Sequence, residues 1–224
     1  MQIRYLFFIW CTIALPFTNV VHDTSHRQAI VVIDPAGDVK RTGRRIGDVF
    51  ERGLTLQCAE KIKQYIEQYR DDITVVITRM PGDPVYDLQN ATLANRLHAD
   101  LFINLNVYYT QDTKPTVYVY QFSYGNDFAC CQQQLALYSY DQAYKINKHT
   151  TDRVMQLCIK ELADKQYQAL YSVAGPYALP IKPLIGVIAP ALAFDCGLKS
   201  KESWHAYAEP LAHTIIAMLD KERE

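Results

Sequence analysis

The sequence predicts an α/β protein with a mostly parallel, twisted sheet and helices on both faces. Two observations carry this expectation. Short runs of apolar and β-branched residues recur at Ile30–Ile33, Ile73–Thr78, Leu101–Leu105 and Pro190–Phe194, the pattern of strands buried on both faces. Stretches with apolar residues at helical spacing alternate with them, as in units where a helix crosses over between parallel strands. The 224 residues are 49% hydrophobic and 21% charged, which suits one globular domain of about 200 residues after a leader.

The chain can be taken in order. Residues 1–23 read as an export signal or an uncleaved N-terminal anchor. Arg4 supplies a positive start, and Tyr5 to Phe17 is mostly apolar but shorter than the about 20 residues a bilayer-spanning helix needs. No clean small-residue cleavage site follows at Thr18-Asn19-Val20. The domain proper is expected over 27–222. Its first strand, from Ile30, stops at Asp34-Pro35, because proline cannot extend a ladder. A polar loop with Gly37, Gly43 and Gly47 follows, and a helix opens near Asp48. Phe50, Leu54, Cys58, Ile62 and Ile66 recur every four residues and draw one apolar stripe on it.

Asp71-Asp72 marks a turn into the second strand. A loop over 79–85 leads to a helix over 87–98, and the third strand ends at Asn106. Thr116 to Phe122 alternates in part and reads as a fourth strand nearer an edge. Ser123 to Tyr144 is rich in aromatics and glutamine and reads as a helical insertion packed on the body. A long helix over 146–165 turns Val154, Leu157, Cys158 and Leu162 inward. The prolines of 174–183 indicate a loop. After the last strand, Lys201 to Lys221 forms a closing helix with a kink expected at Pro210.

Charge and cysteine content exclude several classes. A formal charge of −1 argues against an electrostatic nucleic-acid binder. Lys40-Arg41 with Arg44-Arg45 is the only local basic cluster and reads as a solvated loop or as a contact for an anionic ligand. Outside the leader five cysteines remain, an odd number, and no C-x-x-C zinc pattern is present.

The carboxyl ends of parallel strands lie together, and ligands bind along that edge. Topology therefore gathers Asp38 after the first strand, Glu51 opening the next helix, Asn106 ending the third strand and Asp195 ending the last. Asp48-x-x-Glu51 also matches a capping box, in which Glu51 would return a hydrogen bond to the helix start. Asp38, Glu51 and Asp195 together offer oxygen ligands for a hard cation. No histidine falls on this edge: His98 lies at the opposite one, His22 and His26 lie in the leader region, and His149, His205 and His213 lie on helices.

From about Ala29 to Leu219 the chain resembles the zinc-dependent N-acetylmuramoyl-L-alanine amidases of the bacterial cell wall. The matching pieces come in order: Ile33-Asp34-Pro35; Glu51-Arg52 with Leu54-Thr55-Leu56; Thr78-Arg79; Ala94-Asn95 with Ala99-Asp100-Leu101-Phe102-Ile103; and Pro190-Ala191-Leu192 with Asp195 and Gly197. The resemblance implies an amidase-like α/β fold, zinc as cofactor, and peptidoglycan or muropeptides as partner, in the periplasm or outside the cell. It also implies the site. The family holds zinc with a His after the first strand, a Glu opening the first helix and a His ending the third strand, and uses a Glu on the last strand as base.

Those positions are Gly37, Glu51, Asn106 and Asp195 here. Glu51 alone matches as a metal ligand. Glycine has no donor, and an asparagine amide is a poor zinc ligand. Asp195 keeps a carboxylate about 1.5 Å short of the family's reach. Two expectations follow: an amidase that is weak or inactive, with Asp195 as its catalytic group, or a non-catalytic cell-wall binding or regulatory protein. Gly37→His with Asn106→His is expected to restore zinc binding if the edge geometry is set by the sheet alone.

Overall fold

A computed structural model describes residues 28–86, 88–124 and 139–223, with side chains described up to Lys221. The leader, with His22 and His26, lies outside these residues, as do Cys130, Cys131 and most of the segment expected as a helical insertion. Among the described residues no helix is long and apolar enough to cross a membrane.

A six-stranded sheet organises the fold. Its strands are β1 (Ala29–Pro35), β4 (Ile73–Ile77), β5 (Leu101–Tyr109), β6 (Thr116–Phe122), β7 (Ser172–Leu179) and β8 (Ala191–Leu198). They lie in the order β4-β1-β5-β8-β6-β7, and the first four are mutually parallel. β6 runs antiparallel to β8, with β7 parallel to β6 at the far edge. A second, two-stranded ribbon joins β2 (Arg45–Ile46) to β3 (Val49–Phe50). The apolar runs became strands because both of their faces are covered. Val31, Ile33, Ile103, Leu105, Leu192 and Phe194 face one core; Val32, Phe102, Ala191 and Ala193 face the other.

Three helices cover the first face: α1 (Glu51–Tyr69), α3 (Lys148–Leu162) and α4 (His205–Arg223). On the second face lie the short α2 (Gln89–Arg96) and irregular segments around Leu184 and Val187. The stripe on α1 holds at Leu54, Cys58, Ile62 and Ile66, all buried. Phe50 leaves it: it lies in β3, outside the helix, and is 44% exposed. Cys58, Cys158 and Cys196 are buried and unpaired, and burial pushes the Cys58 thiol up to about 12. They behave as small apolar side chains.

Two expectations are corrected. The proline-rich 174–183 stretch is not all loop, because β7 runs through Gly175 and Pro176. An edge strand has one side without ladder partners, so a proline there costs little. α4 runs from His205 to Arg223 through Pro210, starting later than the sequence suggested because residues 201–204 form turns. Phe194 lies at the centre of β8 with its ring fully buried. Phe194→Ala is expected to cost roughly 3–5 kcal/mol in a urea melt, the loss usual for a large aromatic truncated in a closed core.

Candidate functional site

Asp34 ends the apolar run of β1 inside the protein, where an isolated carboxylate would be costly. Neighbouring elements supply donors: Thr78 Oγ1 after β4 at 2.9 Å, Asn90 Nδ2 on α2 at 2.7 Å and Asn104 Nδ2 on β5 at 3.0 Å. Burial nevertheless pushes the Asp34 carboxyl up to about 6, against these hydrogen bonds and the charge of Arg79. The network continues along β5. Asn106 Nδ2 donates to Asn104 Oδ1 at 2.7 Å and to the Phe194 carbonyl of β8 at 3.1 Å. Arg79, also buried, donates to the carbonyls of Pro35, Ala36 and Arg52, which fixes the turn after β1 against α1.

Asp38 is buried in the next loop. Against the cost of burial, the backbone N–H groups of Arg41, Lys40 and Val85 and the Arg41 side chain hold its carboxyl down to about 2. Asp38 therefore staples its own loop to the 85 region. Gly37 beside it has φ +79°, and a Cβ there would stand 2.8 Å from Arg52 Cβ. A side chain at this position meets both backbone strain and a helix.

Glu51 is the first residue of α1 and is buried. Its Oε1 accepts from the Val107 N–H of β5 at 3.0 Å, and its Oε2 accepts from the Arg44 N–H at 2.9 Å. Gly43 makes room for this: a Cβ there would stand 2.6 Å from Glu51 Oε2. The expected capping box is absent. Phe50 is the helix cap and gives no side-chain hydrogen bond, while Asp48 pairs instead with Lys201 at 3.0 Å. The β2–β3 ribbon turns Asp48 outward, so the local pattern never closes.

Asp195 on β8 lies beside Asn106 in register. Its two oxygens accept from Arg44 Nη1 at 2.7 and 2.9 Å, and the same nitrogen donates to the Val107 carbonyl at 3.2 Å. Desolvation opposes the Arg44 charge, but the hydrogen bond and charge of Asp195, with the charge of Glu51, outweigh it and raise its pKa. The basic cluster over 40–45 is therefore not a uniform solvated loop. Arg41 serves Asp38, Lys40 sits over the Tyr86 ring, and Arg44 reaches across to the last parallel strand.

Sheet topology thus brings Gly37, Asp38, Glu51, Asn106 and Asp195 to one edge, but their side chains are already engaged. A zinc ion does not fit this set. Glu51 spends both oxygens on backbone N–H groups, Asn106 turns its donor nitrogen to Asn104 and Phe194, Gly37 offers nothing, and Asp195 is held by a guanidinium. The hard-cation alternative fails for the same reason, and among the described residues no group of three or more His, Cys, Asp or Glu is placed to hold a metal. Beside this edge is a cavity of about 330 Å³. Asp34, Asn90, Asn104 and Asn106 form its polar wall, and Tyr86 and Ile185 contribute apolar surface. Asn90 Oδ1 is buried without a partner among the described residues.

The sequence reading missed Arg44 and the Asp34–Asn90–Asn104 network. Asn104 carried a signal, an amide in the middle of an apolar strand. Arg44 carried none, since its partner lies 151 residues away.

Comparison with known proteins agrees with this architecture. The sequence profile of N-acetylmuramoyl-L-alanine amidase matches residues 31–197, and the chain belongs to this family. Among solved structures it is similar to the catalytic domain of the amidase CwlV from Bacillus (Paenibacillus) polymyxa var. colistinus, with a TM-score of 0.62, 16% identity, and coverage of 86% of this chain and 98% of that one. The amidase AmiC2 of Nostoc punctiforme gives a TM-score of 0.62 at 17% identity, with 86% and 98% covered. An amidase from Clostridium difficile 630 gives 0.62 at 15%, with 87% and 98% covered. No curated protein matches the sequence. The family acts on peptidoglycan, outside the cytoplasm.

Two expectations test the site. Glu51 answers two donors, so Glu51→Gln turns an amide nitrogen toward one of them. We expect it to cost roughly 1–3 kcal/mol in urea melts, with no advantage over Glu51→Ala. A capping role would make glutamine the milder change. For Asp34, the folded-state pKa of about 6 lies above the ordinary 3.8. Its contribution is therefore full below pH 3.8 and is lost as pH rises toward 6. Wild type should lose roughly 2 kcal/mol more than Asp34→Asn between pH 4 and pH 7, read from paired melts at those two values.

Proposed function

We propose that this chain is an exported cell-wall protein that binds peptidoglycan or its muropeptides without hydrolysing them. The observation that carries this reading is the Arg44–Asp195 pair. A catalytic zinc site keeps an open position for water and lowers that water's pKa to about 7. A guanidinium supplies positive charge but no coordination site and no activated water. It also occupies the one carboxylate that could serve as base. Glu51 serves the fold by satisfying two backbone N–H groups. The cavity beside the edge, with its polar wall and buried unpartnered acceptor, is suited to holding a ligand.

Export is supported by Arg4 and the apolar stretch from Tyr5 to Phe17, and by a family whose substrate lies outside the cytoplasm. Residues 1–23 would act as signal or anchor, and 27–222 as the binding domain.

The test combines three measurements on purified protein: sedimentation with insoluble peptidoglycan, chromatography of muropeptides after incubation, and zinc titration. Co-sedimentation is expected, with intact muropeptides and no stoichiometric tight zinc. Chelator-sensitive cleavage with tight zinc would overturn the reading. Two features weigh against the expectation that new ligands alone restore the metal site. Gly37→His meets a left-handed backbone and Arg52, and Arg44 remains in place. Gly37→His with Asn106→His should therefore stay below stoichiometric zinc in the same titration.

A further inference from the structure

Four tyrosines form a continuous row on the second face of the sheet, next to the Arg44–Asp195 pair. Tyr108 of β5 lies 5.8 Å from Tyr118 of β6, ring centre to ring centre. Tyr118 and Tyr120 are 6.4 Å apart, and Tyr177 of β7 stands 6.4 Å from the one and 5.6 Å from the other. Tyr118 is in register with Asp195, so the row begins where the candidate site ends. Tyr108, Tyr118 and Tyr120 are half-buried, and Tyr177 is 42% exposed.

The row depends on an irregularity in the sheet. Tyr118 pairs with Ala174, but Tyr120 pairs with Tyr177, so β7 carries one extra residue between these pairs. In regular pairing Tyr120 would face Pro176, and Tyr177 would point to the opposite face. The bulge turns Tyr177 onto the side of Tyr118 and Tyr120. Gly175 permits it, because a Cβ there would stand 2.7 Å from the Val119 carbonyl. The Tyr108 hydroxyl is committed to the Thr116 carbonyl at 3.0 Å. Those of Tyr118, Tyr120 and Tyr177 have no protein hydrogen bond among the described residues.

We propose that this row is a stacking platform for the sugar rings of a glycan strand, an inference that rests on the reading that the chain binds peptidoglycan. Aromatic faces carry negative charge density and attract the weakly positive C–H face of a pyranose. The phenolic hydroxyls offer donors and acceptors to sugar hydroxyls and acetamido groups at the ring margins. None of the four is charged at neutral pH, and the adjacent Arg44 and Asp195 neutralise each other. An uncharged polymer of N-acetylated sugars fits such a surface better than the anionic stem peptide, which needs cations. Single-stranded nucleic acid also stacks on aromatics, but its sites add a positive groove, and the chain carries a formal charge of −1.

The test uses the full chain and soluble β-1,4-linked N-acetylglucosamine oligomers, a glycan without stem peptide, by titration calorimetry. Wild type is expected to bind. Tyr177→Ala and Tyr120→Leu should each weaken binding about 3- to 10-fold, the worth of one aromatic contact. Tyr177→Phe keeps the ring and should retain most of the affinity. Unchanged melting curves for Tyr177→Ala, the most exposed of the four, separate loss of contact from loss of fold. Failure to bind the oligomers, or wild-type affinity in both ring-removing variants, would overturn the platform. If insoluble peptidoglycan still sediments the protein in that case, the platform fails and peptidoglycan binding stands; if neither ligand is bound, both fail.

Discussion

The buried carboxyl group of Asp34 is the constraint on which the rest of the edge depends. It closes β1 where little water reaches it, so its neighbours must satisfy it. Thr78 answers from the end of β4, Asn90 from α2 and Asn104 from β5. Through Asn104 the same network reaches Asn106 and the backbone of β8. Four neighbouring parallel strands and one helix are thus cross-linked by one set of hydrogen bonds. Hydrophobic burial holds the sheet together, but it is indifferent to small sliding of one strand past another. Directional hydrogen bonds to a single carboxyl are not, and they hold the strands in register.

On that fixed edge the charges of the converging carboxylates are met by protein groups. Glu51 and Asp195 converge because the fold makes them converge, and two carboxylates near one another in partial burial need compensation. Backbone N–H groups take the charge of Glu51, and the Arg44 guanidinium takes that of Asp195. The glycines make the arrangement possible: Gly43 lets the loop lie over Glu51, and Gly37 passes close to α1. Loop, helix start and last strand therefore form one interlocked unit. Changing a ligand residue within it disturbs partners that a free metal site would not have.

How much of this was legible in the sequence follows from the range of each interaction. The strands β1, β4, β5 and β8 were readable because burial on both faces leaves a continuous apolar run. The stripe on α1 was readable from Leu54 onward because a helix repeats its core face every three to four residues. β7 was hidden because Gly175 and Pro176, read as loop residues, are tolerated at an edge and there create the bulge. Topology placed Asp38, Glu51, Asn106 and Asp195 on one edge and family resemblance added Gly37, but neither gave what the side chains do. Glu51 matched a local capping pattern, yet its partners are Arg44 and, 56 residues away, Val107. Nothing in the spacing of a single chain encodes such a pairing.

The two sides of the Arg44–Asp195 pair differ in a way that bears on what the protein recognises. Toward β1 and α2 the surface is a cavity lined by the amides of Asn90, Asn104 and Asn106, the carboxyls of Asp34 and Asp38, and the cations Arg41 and Lys182. Toward β6 and β7 it is a row of phenol rings with no charge of its own. A hydrolase of this fold must bring a polymer across its sheet edge and act on one bond there. On the proposed non-hydrolytic reading no open metal is needed, but the polymer must still be held. The Arg44–Asp195 ion pair lies between these two surfaces, neutral overall and tied to the backbone through the Val107 carbonyl. Affinity in such a protein is set by the walls of the groove, and its centre has only to avoid repelling what lies across it.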